Sequence, residues 1–94
     1  MPPRPDAVLR RRSDVRFRTV LEEGVVIKQD TAEVLVLNAV GARVLELLDG
    51  HRTVADVRAA LAVEFAAPAD ELERDIAGYL DELLGAGIIE ETGG

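Results

Sequence analysis

Along the chain the apolar positions recur first at every second residue and then at every third or fourth. From Val15 to Leu21, VRFRTVL, the odd positions Val15, Phe17, Thr19 and Leu21 oppose Arg16 and Arg18, the period-two alternation of a strand with one wet face; Val20 is the one lapse. Glu22-Glu23-Gly24 is a turn signal, and Val25, Val26 and Ile27 form a second β-branched run before the polar Lys28-Gln29-Asp30-Thr31. A third run, Glu33 to Leu37, passes through Asn38 into a segment where Gly41, Val44, Leu45 and Leu48 fall at i, i+3, i+4 and i+7. A strand therefore feeds directly into a helix. Asn38 has the side chain that caps a helix by accepting a bond from an orphan backbone N–H, and Gly50 offers the left-handed residue that closes one.

Two more helices follow. Thr53 with Asp56 approximates a capping box for a helix running to about Phe65, with Val54, Val57, Leu61 and Phe65 on its buried side. Ala66-Ala67-Pro68-Ala69 breaks it, and Pro68 suits the first turn of the next helix. There Leu72, Ile76, Tyr79, Leu80 and Leu83 make an amphipathic stripe, and Asp70, Glu71 and Glu73 sit where the helix dipole favours negative charge. Gly85 and Gly87 end it; Ile88 and Ile89 pack back on the core as a short extended tail, and the last residues fray. Residues 1–12 hold three of the four prolines and no apolar period, which predicts a flexible basic arm. The expected organisation is α+β, a three-stranded antiparallel sheet followed by three helices (β-β-β-α-α-α), with one domain over 13–91 and a frayed tail over 92–94.

Composition narrows what such a domain does. Ninety-four residues make one domain, which buries only somewhat over ~60% of the surface its unfolded chain exposes. Phe17, Phe65 and Tyr79 are the only aromatics, so the core is aliphatic and a deep aromatic-lined pocket is not expected. The absence of cysteine removes disulfides, thiol nucleophiles and thiolate metal sites, and fits a reducing cytoplasm. No run of eighteen apolar residues occurs, and none follows the basic N-terminus, so the chain reads as soluble and not exported. Net charge is −7; residues 1–18 carry six arginines against two aspartates, a net +4, which leaves −11 on residues 19–94.

Candidate chemistry is sparse. His51, Ser13 and Asn38 are the only residues of their kinds, and His51 sits in an inter-helix turn, so no base is placed beside a nucleophile. The carboxylates of the third helix read as a solvated face, and no glycine pattern cradles phosphate. No cofactor or metal is implied. Three helices beside a small sheet are also the inventory of a winged helix. But the helix that would enter DNA carries six acids against Arg74, which a polyanion would repel, so nucleic acid is not the expected partner. What remains is backbone: Glu33 to Leu37 reads as an edge strand, whose unpaired N–H and C=O groups are a template for another strand. Gly78, with Ala77 beside it, lowers the wall of the third helix, leaving a shallow trough between that helix and the edge. The residues alone leave four readings open: a peptide added at this edge, a winged-helix DNA-binding or regulatory domain using the basic arm, an edge-to-edge homodimer, and an edge covered by its own chain.

The ordered set Leu37-Asn38, Gly41, the stripe to Leu48, Asp49-Gly50, Thr53-Val54, Asp75, Tyr79-Leu80, Leu83 and Gly87 resembles the PqqD-like family. Its members are peptide-recognition elements of pathways that modify ribosomally made peptides. The resemblance, over about residues 33–91, implies a winged-helix-like module that binds a precursor's leader as an added strand and delivers it to a modifying enzyme, a radical SAM enzyme or another maturase. It implies no catalysis; with no enzyme attached before Gly94 the expectation is a stand-alone chaperone, a monomer or weak homodimer, and the lack of a long apolar run leaves no membrane expected. Carried onto this sequence, Glu33, Val34, Leu35 and Val36 supply the edge, and Glu71, Arg74, Asp75 and Gly78 the facing wall.

Overall fold

The computed structural model describes residues 3–66 and 68–92. What falls on residues 1, 2, 67, 93 and 94 in the expectations above lies outside the described residues. The elements run β1 (Val8–Arg11), β2 (Val15–Val20), β3 (Glu23–Lys28), β4 (Glu33–Leu37), α1 (Ala39–Leu47), β5 (Asp49–Thr53), α2 (Val54–Phe65), α3 (Ala69–Gly85) and β6 (Ile89–Glu91). They form two antiparallel three-stranded sheets, β2-β3-β4 and β5-β1-β6, and three helices.

The α+β class and the meander that feeds the first helix stand as read; three further strands are added. The flexible arm expected over residues 1–12 does not hold from Ala7 onward. β1 is the central strand of the second sheet, Leu9 is fully buried, and Ala7 is buried beside it. A four-residue strand shows no period of its own, and its partners β5 and β6 lie far along the chain. β5, DGHRT, is polar and reads as a turn; its strand geometry comes from pairing with β1, and Gly50 takes φ +83 within it instead of closing α1. His51 therefore lies exposed on a strand.

Local chemistry sets the helix ends. The Asn38 side chain accepts a 2.9 Å bond from Gly41 N–H at the start of α1. The Thr53–Asp56 capping box is complete, and Val54 and Ala55 donate to the carbonyls of Ala7 and Pro5, so the N-terminal segment satisfies donors that a helix start leaves free. α3 closes through Ile88 N–H to Leu83 O and Gly87 N–H to Leu84 O, with Gly87 at φ +75, a Schellman turn. Lys28 Nζ of β3 adds a 2.6 Å bond to Ala86 O.

The core is aliphatic, with Val26, Leu45, Leu61 and Leu80 fully buried and Ile88 and Ile89 nearly so. Phe65, expected on the buried side of α2, is 39% exposed. α1 lies against the β2-β3-β4 sheet at Gly24, where a β-carbon would stand 2.9 Å from Phe17 and 3.0 Å from Ala42. Arg11 ties the two sheets, donating at 2.9 Å to Leu45 O and lying 5.2 Å from the centre of the Phe17 ring. No helix among the described residues is long and apolar enough to cross a membrane.

Candidate functional site

β4 pairs with β3 on one side only, and no strand among the described residues covers its other edge. The register fixes which way its side chains point. Gly24 and Val26 of β3 are buried, and their partners Leu37 and Leu35 on β4 are half-buried against the same core. Val34 and Val36 project from the opposite face and are 61% and 65% exposed. Edge strands are ordinarily protected by prolines, bulges or several charges. β4 has only Glu33 at its start, whose carboxylate is already occupied by Thr31 Oγ1 at 3.0 Å and by Lys28 at 3.8 Å. One face of the strand is anchored and its edge is open.

Where β4 ends, Asn38 turns the chain into α1, and a pocket of about 360 Å³ opens between α1 and α3. Its walls are Val40, Gly41 and Val44 from α1, Leu72, Asp75, Ile76 and Tyr79 from α3, and Phe65 from the end of α2. The lining is apolar except for Asn38, the Tyr79 hydroxyl and the Asp75 carboxylate. Burial, then the negative charge of Glu82, pushes the Tyr79 phenol above its ordinary pKa, so it is a neutral hydrogen-bonding tip at physiological pH. Among the described residues no cluster of three His, Asp or Glu side chains is arranged to hold a metal ion.

The residues singled out from the sequence are only partly brought together. Glu33 to Val36 form the open strand, and Asp75 lines the pocket beside its C-terminal end. Glu71 and Gly78 lie two turns apart on the same flank of α3, both exposed. A β-carbon on Gly78 would meet nothing within 4 Å among the described residues, whose packing therefore does not demand glycine there. Arg74 faces elsewhere, lining a hollow with Pro3, Pro5, Arg58 and Glu73 on the other flank. Sequence reasoning missed Tyr79, Val40 and Phe65, and assigned Leu72 and Ile76 to the core alone. Val40 carried a signal, an apolar residue outside the buried stripe of α1.

Comparison with known proteins gives a consistent set. The family model for coenzyme PQQ synthesis protein D (PqqD) matches residues 23–89. A PqqA binding protein of Rhodopseudomonas palustris (strain TIE-1) is 31% identical over 85 residues, covering 90% of this chain and 81% of that protein. Another from Bradyrhizobium diazoefficiens is 30% identical over the same shares. Among solved structures, TbiB1 in complex with the TbiA(beta) leader peptide superposes with a TM-score of 0.81 at 22% identity, over 90% of this chain and 99% of that one. A lasso peptide synthetase B1 complexed with its leader peptide gives 0.79 at 25% identity, over 89% and 99%.

Proposed function

The chain belongs to the PqqD family, and we propose that it binds the leader region of a precursor peptide without acting on it chemically and presents that peptide to a modifying enzyme. The observation that carries this reading is the unprotected edge of β4 ending beside an apolar pocket. Relatives described as PqqA binding proteins, and similar folds solved with leader peptides, support it.

An extended peptide laid along β4 satisfies the free backbone groups of the edge, and strand alternation then sends successive side chains to opposite faces. One set points to the α1–α3 side, where the pocket receives an apolar side chain worth about 1.5–3 kcal/mol when fully buried. The other set joins Val34 and Val36 on the outer face. Ordering a disordered segment costs about 2–5 kcal/mol or more, so a single anchor does not suffice, and the main-chain ladder and a second apolar contact supply the rest. Glu71, Asp75 and Glu82 on the exposed flank of α3 favour a leader carrying basic residues there. The same acids oppose DNA at this helix. The enzyme served is a radical SAM protein or another peptide maturase, acting in the cytoplasm.

Titration of the purified chain with the leader of a precursor encoded beside it tests the reading. Saturable binding is expected; no binding at high micromolar concentration contradicts it. Sedimentation of the unliganded chain separates the alternative in which β4 pairs with β4 of a second copy.

A further inference from the structure

The outer face of the β2-β3-β4 sheet, away from the core, is not explained by leader binding at the edge. Eight large apolar side chains are exposed among the described residues; four of them, Val20, Ile27, Val34 and Val36, stand on this face, and a fifth, Leu21, in the turn that joins β2 to β3. Leu21, at the tip of the β2–β3 hairpin, is 95% exposed and holds a left-handed backbone (φ 57) that disfavours a side chain. The register places Arg18, Val25 and Val36 in one row across the face and Arg16, Ile27 and Val34 in the next.

The arginines separate this face from a merely incomplete core. Arg4, Arg10 and Arg12 are engaged by carboxylates, and Arg11 by Leu45 O and Phe17. The side chains of Arg16 and Arg18 make no ion pair or hydrogen bond among the described residues. In a chain of net charge −7, two cations stand free along one border of an apolar patch.

We propose that this face is the docking surface for the modifying enzyme, which meets it with an apolar surface fringed by carboxylates on the β2 side. The proposal rests on the reading that the chain presents a peptide to such an enzyme. A second copy is the poorer occupant. Stacking two copies about a two-fold axis parallel to the strands, centred on the patch, sets Arg16 and Arg18 over the partner's valines. A two-fold across the strands sets them over the partner's arginines. Glu23, opposite Val20, is the acid that the strands set on this face, so a second copy brings one such carboxylate against two arginines. The face is also continuous with the leader site, because a strand added to β4 extends the same sheet and its outward side chains extend the same surface. An enzyme seated there touches carrier and peptide together.

The test uses the full chain loaded with leader, the purified modifying enzyme encoded beside the precursor, and two variants outside the leader site, Arg16→Glu/Arg18→Glu and Ile27→Glu. Both are expected to weaken enzyme binding by about tenfold or more, with leader affinity and the circular dichroism spectrum unchanged. Wild-type strength in a folded Arg16→Glu/Arg18→Glu variant overturns the proposal. So does a wild-type chain that binds leader but no enzyme at high micromolar concentration, or a stable dimer that Ile27→Glu dissolves. Failure of the underlying reading looks different: the wild-type chain then binds no leader, and the docking proposal falls with it.

Discussion

Tyr79 of α3 lies directly over Gly41 of α1: a β-carbon at position 41 would stand 2.5 Å from the phenol oxygen and 3.2 Å from Cζ. That approach joins the helix that follows the open strand to the helix that walls the pocket. It also makes residue 41 a lever on the pocket's shape.

Gly41→Ala gains about 0.8–1.0 kcal/mol of helix propensity and loses part of it to the contact with Tyr79 and Leu37, so urea denaturation should place it within about 1 kcal/mol of wild type. The phenol is the movable group, and it must swing toward the pocket. Leader affinity, measured by calorimetry, should fall while stability does not.

Tyr79 reports on its own surroundings, because the chain has one tyrosine and no tryptophan. Its raised pKa means that the folded chain keeps a proton the unfolded chain releases near pH 10. Its contribution to stability is therefore complete below about pH 10 and lost as pH rises through the folded value. Absorbance near the tyrosinate band should titrate above the ordinary tyrosine range, shift further up when a leader side chain fills the pocket, and vanish in Tyr79→Phe.

Leu9 tests the role of the N-terminal segment. Fully buried in the central strand of its sheet, it should cost about 2–5 kcal/mol as Leu9→Ala, read as a lower midpoint in thermal or urea unfolding. A flexible arm would show no change.

A β-carbon added at Gly78 has open space among the described residues. Gly78→Ala should therefore stabilise α3 by up to about 1 kcal/mol. With a peptide close against this flank, the same variant should bind leader more weakly, and the pair of measurements distinguishes a site position from an idle one.

Much of this was legible because local chemistry agreed with the fold. The alternation of β2, the Asn38 and Thr53 caps, the stripe of α3 and the bounds Glu33–Leu37 of β4 all follow from side chains acting within a few residues. β1 and β5 were not legible, since one is four residues long and the other polar, and both owe their geometry to each other across more than thirty intervening residues. The site divided in the same way. Its strand could be read from β-branched residues, but which flank of α3 faces the pocket depends on how the helix is rotated about its axis. That rotation is set by Leu72, Ile76 and Leu80 in the core, and it carries Asp75 and Tyr79 toward α1 and Arg74 away.

Strand addition at β4 is tested by backbone amide exchange of Glu33–Leu37 with and without leader. Alternate amides of the open edge should become protected on binding, and Val34→Pro or Val36→Pro, which remove a backbone donor or distort the edge, should abolish both protection and affinity. Leader binding that leaves β4 exchange unchanged and survives both proline variants in a folded chain would contradict the account.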